Sequence, residues 1–384
     1  MKNFNFLPQQ YKRNKKFKIS HNYLTKQFAD YKIIFKKIEK VIKFNDFTLG
    51  QEVNEFEKNF ASYMKAKHCI SVGSGTDAIY LALKTLGLGN GDEVITTPYT
   101  FYATVNAIIQ ADCKPKFADI SYKDFNIDPN LIEKKITKKT KAILVVHWSG
   151  RICDMEKIKN IAKKHKLFIV EDACHAALAY RKGTMAGNFG DIGCFSLHPL
   201  KNLNVWGDGG MITTNKNSYA KKLMLLRNHG LKNRNNIEIF GVNSRLDTIQ
   251  AVVANHVLKK LNNITNNRIK NAKYLDKKLR TIKEIYIPER LIGTKEVFHL
   301  YCLQVKNRNK LNKFLLSKGI DAKIHYPIPM HLQKPCRKQF GYKKGDFPIT
   351  EKVCSTTISL PVHEFIKEKD LNFMVTQIKK FYSK

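Results

Sequence analysis

Between residues 69 and 214 the chain switches repeatedly between short apolar runs closed by turn residues and stretches with helical spacing. Residues 69–72, 93–97, 115–120, 142–147 and 168–172 read as strands. Between them lie helices over 77–86 and 129–136, and one opened by 99–104 that runs through Asn106 and Ile109. Asp154 is placed to cap another, with Met155, Ile158, Ile161 and Ala162 on one face. Strands separated by helices cannot pair as hairpins, so this alternation predicts an α/β fold with a mainly parallel sheet sandwiched by helices.

The pattern changes on either side. Residues 1–44 are basic, with a helical pattern around Phe28, Tyr31, Ile34, Phe35, Ile38 and Val41, and a second amphipathic helix follows through Val53, Phe56, Phe60 and Met64. From residue 262 the units segregate: a basic helix over 266–279, an alternating run over 297–305 that reads as a strand with one exposed face, a helix over 310–318, and a strand over 320–325. The chain closes with an amphipathic helix using Leu371, Met374, Val375 and Ile378. The expected organisation is a basic arm and helix (1–44), a large α/β domain (45–261) and a smaller C-terminal α+β domain (262–384).

Two strand ends carry chemistry. The run Phe168-Ile169-Val170-Glu171-Asp172 puts a carboxylate at the C-terminal edge of a strand, where open α/β sheets place their ligands. The run from Gly193 to Leu197 is followed by the turn His198-Pro199-Leu200-Lys201-Asn202 and then by Gly207-Asp208-Gly209-Gly210. A lysine held where water is scarce loses part of its preference for the charged form, so its amine becomes a nucleophile able to form a Schiff base. An acid such as Asp172 is the usual partner of a protonated pyridine nitrogen, as in pyridoxal phosphate, where it strengthens the ring as an electron sink. A third strand end, Gly73-Ser74-Gly75-Thr76, leads into a helix whose first N–H groups suit a phosphate. The same segment also fits the dinucleotide pattern G-x-G-x-x-A, with Glu93 downstream as a ribose acid.

These pieces together resemble the DegT/DnrJ/EryC1/StrS sugar aminotransferases: Ser-Gly-Thr-Asp-Ala at 74–78, Glu-Asp-Ala-Cys-His-Ala at 171–176, Phe-Gly-Asp at 189–191, Phe-Ser-Leu-His-Pro-Leu-Lys-Asn at 195–202 and Gly-Asp-Gly-Gly at 207–210. The likeness runs from about residue 45 to the C-terminus, in the family's order. It implies a fold-type-I pyridoxal phosphate enzyme in which Lys201 is the catalytic lysine, Asp172 holds the pyridinium and His175 lies by the ring. It further implies a phosphate cup of Gly75, Thr76, Asp77 and Ser196, Phe101 stacked on the ring, and Asn243 reaching the neighbouring subunit's cofactor phosphate. His325, Tyr326 and His331 match family positions near the substrate mouth. The implied substrates are a nucleotide-linked keto-sugar and glutamate or glutamine, and the implied assembly is a homodimer with shared active sites. His147-Trp148-Ser149-Gly150-Arg151 departs from the His-Leu-Tyr-Gly common in the family, which bears on substrate identity.

Alternatives stay open at this point. Dehydratases of the family carry histidine where this chain has Lys201, so the lysine argues for amino transfer; a cyclitol or aminobenzoate-type substrate is a further option. A non-catalytic regulatory relative would not need the full cofactor set. An NAD-dependent oxidoreductase would leave Asp172 and Lys201 without a role.

Composition narrows the rest. A formal net charge of +36 raises nucleic-acid binding, but the lysines are spread through nearly every helix and no recognition motif accompanies them. We expect no nucleic-acid partner, and a positive field suits anionic substrates. The densest basic run, 12–18, reads as a mobile arm. The eight cysteines are scattered, without zinc-ligand spacing, and read as small buried hydrophobes, with no metal expected. The absence of a secretory signal or long apolar run predicts a cytoplasmic protein with no membrane partner.

Overall fold

A computed structural model describes residues 17–383. Of the basic run at 12–18, residues 12–16 lie outside that range. Lys18 is within it, its ammonium 3.8 Å from the centroid of the Phe373 ring.

Among the described residues up to 214 there are nine strands: β1 (His68–Val72), β2 (Glu93–Thr96), β3 (Lys114–Phe117), β4 (Thr140–Val146), β5 (Phe168–Asp172), the two-residue β6 (Tyr180–Arg181) and β7 (Thr184–Met185) of a small hairpin, β8 (Ile192–Ser196) and β9 (Gly210–Thr214). Seven of them form one sheet in the order β1-β9-β8-β5-β4-β2-β3. The block from β8 to β3 is parallel, as the alternation predicts, and β9 runs antiparallel to both of its neighbours. Helices cover both faces. Successive residues of β4 show why its sequence is apolar throughout: Ile143 and Val145 enter one buried cluster, whereas Ala142, Leu144 and Val146 enter another.

Register brings the strand ends together. Val146 pairs with Asp172 and Asp172 with Cys194, so the carboxyl ends of β4, β5 and β8 lie in a row. Gly210 stands between Ser196 and Val72. A Cβ on Gly210 would lie 2.3 Å from the Ser74 carbonyl oxygen, so only glycine lets the turn after β1 close onto the sheet.

The helix Tyr31–Lys43 buries Ile34, Ile38 and Val41 in the same cluster as Val53, Phe56, Phe60 and Met64. Tyr31 and Phe35, read as part of its apolar pattern, are 44% and 53% exposed. Phe28 and Phe35 close on Trp206, at 5.5 and 5.8 Å, over the loop that follows Lys201. The helix Leu261–Leu279 joins the two main cores, with Leu261 and Ile264 in the large one and Ala272, Leu275 and Leu279 in the small one.

Three sequence expectations need correction. The run 297–305 is a strand only over Tyr301–Val305, and all five residues are buried. Its alternation marks two cores rather than core and solvent: Tyr301, Leu303 and Val305 pack in one cluster and Cys302 in another. Residues 320–325 form no strand; Ile320 bridges Ile19 and Lys323 bridges Ser359, so two different neighbours divide the segment's pairing. Asp154 occupies the helix N-cap position but its side chain makes no capping bond; it turns to Arg181, 3.4 Å away.

Candidate active site

A cavity of about 400 Å³ opens at the carboxyl ends of β5 and β8, beside the turn after β1. Lys201 and Asp172 both line it. The lysine is set by the turn after β8, where the His198 amide donates to Ser196 Oγ at 3.3 Å and the Lys201 amide donates to the His198 carbonyl at 2.8 Å. The Lys201 carbonyl accepts from Asn204 Nδ2 at 3.0 Å, so the backbone under the amine is held from both sides. Burial lowers the pKa of the Lys201 ammonium, opposed by Cys174 and Asp172.

Asp172 is 6% exposed. One carboxylate oxygen accepts from Thr104 Oγ1 at 2.7 Å and the other from the Cys174 amide at 3.2 Å. Thr104 is itself paired with Thr100 through their hydroxyls at 2.7 Å. This carboxylate is therefore fixed in direction, and it stays an acceptor for a cationic partner in the cavity.

The turn Ser74–Thr76 also lines the cavity. A Cβ on Gly75 would lie 2.7 Å from Ser196 Cβ and 3.1 Å from Cys174 Sγ, which makes a close cradle. Ser74 Oγ accepts from the Asp77 amide at 3.1 Å, capping the helix Gly75–Thr85. Asp77 is not among the lining residues; its carboxylate accepts from Ser244 Oγ at 2.8 Å and braces the turn. Phe101, 38% exposed, lines the cavity with Tyr102, their ring centroids 3.7 Å apart.

His175 reaches the cavity with its ring between those of Trp148, at 5.5 Å, and His299, at 4.2 Å. Burial, with Lys201 and His325 adding to it, holds the imidazole well below its usual pKa. Its Nδ1 is buried and has no hydrogen-bond partner among the described residues. His325 and Tyr326 also line the cavity, and Tyr99 donates its hydroxyl to the His325 carbonyl at 2.7 Å.

Besides Asp77, two more of the sequence candidates lie outside the cavity lining in this chain. His331 is buried 3.0 Å from Glu351 and against Phe347, away from the lining residues. Asn243 is exposed, bridged to Asn228, and outside the cavity of its own chain. Sequence reasoning missed Thr104, Cys174, His198 and His299 as site residues. Cys174, read as a buried hydrophobe, is half-buried on the cavity wall, whereas the other seven cysteines are buried. Trp148, noticed only as a departure, proves to be the ring behind His175.

The dinucleotide alternative loses its acid. Glu93 begins β2, at the end of the sheet opposite the cavity, and accepts from Thr137 Oγ1 at 2.6 Å.

The profile of the DegT/DnrJ/EryC1/StrS aminotransferase family matches residues 30–379. Among curated relatives, a "pleiotropic regulatory protein" of Geobacillus stearothermophilus is 40% identical, over 91% of this chain and 94% of its own length. The dTDP-3-amino-3,6-dideoxy-alpha-D-galactopyranose transaminase of Aneurinibacillus thermoaerophilus is 38% identical, over 91% and 95%. Among solved structures, DesV of S. venezuelae, in complex with a ketimine intermediate, superposes with a TM-score of 0.93 at 31% identity, covering 96% of this chain and 99% of that one. The Bacillus subtilis protein ntda, with its bound cofactor pmp, gives 0.90 at 30% identity, over 97% and 87%.

Proposed function

The chain belongs to the DegT/DnrJ/EryC1/StrS aminotransferase family, and on that premise we propose that it is a pyridoxal phosphate-dependent aminotransferase. Its substrate is a keto group on a nucleotide-linked deoxysugar or sugar, its donor glutamate or glutamine, and its product an amino sugar for surface polysaccharide. The observation that carries this reading is that Lys201 and Asp172 line one cavity together with the Ser74–Thr76 cradle.

The residues present fit the cofactor. The cradle has no room for a Cβ at Gly75, the Phe101 ring is open to the cavity, and His175 Nδ1 is a buried polar atom in need of a partner. When bound, pyridoxal phosphate supplies a carbonyl that exchanges amine for ketone and a ring that withdraws electrons from the substrate carbon. Asp172, oriented by Thr104, would hold the proton on the ring nitrogen. Lys201, its pKa lowered by burial, would take up and return a proton at Nζ when the cofactor is bound. Gly75, Thr76 and Ser196 would hold the phosphate, and Phe101 and His175 would lie against the ring. Burial raises the pKa of the Tyr326 hydroxyl, which keeps it a proton donor at the mouth.

Asn243, exposed in its own chain, supports a homodimer in which it completes the partner's phosphate site. Phe240, 91% exposed in the same loop, is the apolar surface such a contact would cover. No helix among the described residues is long and apolar enough to cross a membrane, and we place the enzyme in the cytoplasm.

The test is spectroscopic and chemical. Purified protein should be yellow, lose that colour on adding glutamate, and convert a 3-keto or 4-keto nucleotide sugar to a product whose mass shows an amine in place of the ketone. Lys201→Ala should fold but not turn over. Colourless protein that ignores pyridoxal phosphate and binds NAD would overturn the reading.

A further inference from the structure

Behind the main cavity lies a second, smaller one of about 80 Å³. The two share Leu200, His299, Leu300 and His325 as a common wall. The rest of the small cavity brings together His21, Arg268, Lys323 and His363, from the N-terminal segment, the helix that joins the cores and the small unit.

Its charges are unusual. Arg268 is 2% exposed, and its hydrogen bonds run from one terminal nitrogen to the Phe298 and His299 carbonyls at 3.2 and 3.4 Å. Its Nε has no hydrogen-bond partner among the described residues, and neither has Nδ1 of His299. The Arg268 Nε faces Glu364 Oε2 as an ion pair at 3.4 Å, and Glu364, whose pKa burial raises, is not among the residues that line the cavity. Lys323 is held by Asp321 at 2.7 Å. His21, His325 and His363 have pKa values lowered to about 4, 3 and 3, chiefly by burial and secondarily by Lys323, His21 and Arg268 respectively. A cavity lined by a buried guanidinium, an ammonium and neutral imidazoles, one of them with an unpartnered Nδ1, and by no carboxylate, is a receptor for a small anion.

We propose that this small cavity receives a carboxylate of the amino donor. The inference rests on the aminotransferase reading given above. Size argues for it: a water needs ~10–15 Å³ on this scale, so 80 Å³ holds about five to eight light atoms. That suits a carboxylate with its stem and excludes a nucleoside diphosphate, which needs the main cavity. Chemistry argues for it too. Donor and sugar must reach Lys201 in turn through the same space, so a contact offered only to a carboxylate lets the enzyme bind one without tightening on the other.

Titration calorimetry of the cofactor-loaded enzyme with glutarate, which has neither amine nor ketone, tests the site without turnover. Arg268→Gln should weaken glutarate roughly ten- to hundredfold, the loss expected for a charged hydrogen bond. Lys323→Met, on a more accessible side chain, should weaken it by roughly threefold and serves if the arginine variant does not fold. In single turnovers, half-saturation by glutamate should rise by the same factors while that by the amino sugar changes less than about threefold. Glutarate binding unchanged in both variants, or equal damage to both half-reactions, overturns the proposal. So does a selective loss of pyrophosphate binding, which would assign the cavity to phosphate. If glutamate bleaches no colour yet glutarate binds and depends on Arg268, the aminotransferase reading falls and the carboxylate site stands.

Discussion

At the residue scale the site depends on direction as much as on identity. Both oxygens of Asp172 are occupied by donors, Thr104 Oγ1 and the Cys174 amide. Asp172→Asn would keep the shape, put an N–H₂ against one of those donors, and remove the negative charge that balances a ring cation. We expect kcat to fall by roughly a hundred- to a thousandfold or more, as for other preorganised electrostatic contacts. The urea midpoint should move little beside that loss. An unchanged kcat would show that Asp172 does not face the cofactor. Asp172 and Lys201 were legible in the sequence because each follows an apolar strand, and strand ends define where an α/β sheet binds. Thr104 and His299 were not. Thr104 meets Asp172 across 68 residues, and His299 meets His175 only because two cores close on each other. His331 shows the converse, since a histidine among prolines near the right strand is here held by Glu351.

At the scale of elements, the turn from β4 into the helix Met155–His165 links the sheet to the site. His147 accepts from the Cys153 amide at Nδ1 and donates from Nε2 to Glu171 Oε2, 2.8 Å away, and Trp148 backs His175. Gly150 makes the turn possible: its φ is +97°, and a Cβ there would lie 2.6 Å from Val297 Cγ2 and 2.8 Å from the His175 carbonyl oxygen. Gly150→Ala combines left-handed strain, on the order of 1–3 kcal/mol, with a clash against backbone that cannot swing away. We expect a loss of at least ~2 kcal/mol in urea unfolding together with weaker cofactor retention, because the obstacle is His175 itself. A loss under ~0.5 kcal/mol would mean that the turn relaxes freely. The β/α alternation was readable because each element is long enough to show its period. The strand at Tyr301–Val305 was misread because two cores produce the same period as core and solvent. The antiparallel run of β9 was not readable at all, since direction is set by a long loop and not by periodicity.

At the scale of the whole molecule, two properties follow from how the parts meet. The first is acid sensitivity. His21, His325 and His363, gathered where the N-terminal segment meets the small unit, have folded-state pKa values of about 4, 3 and 3 against an ordinary 6.5. Below pH 6.5 the unfolded chain takes up protons that the folded chain refuses. Stability is therefore complete above that pH and lost as pH falls towards 4, at up to ~1.4 kcal/mol per pH unit for each histidine. His363→Gln should flatten the slope of unfolding free energy between pH 6 and 4.5 by about one proton, and an unaltered slope would place the acid sensitivity elsewhere.

The second property is assembly. Asn243 is exposed and outside its own cavity, beside Phe240 at 91% exposure. An amide there would give the partner's phosphate dianion a further uncharged donor. In the two-fold assembly proposed above that contact would occur twice, so each site would take Lys201 from one chain and Asn243 from the other. Asn243→Asp keeps Lys201 but repels the phosphate, whereas Lys201→Ala keeps Asn243. Neither homodimer should turn over. A mixed dimer, however, holds one site with both native residues and one with neither. Random exchange at equal concentrations makes half the dimers mixed, so recovered activity should approach about a quarter of the native value. Mass spectrometry under native conditions verifies exchange, and the amine-forming assay reads the recovery. Mixed dimers without recovered activity would show that each chain builds its site alone, as would an active monomer.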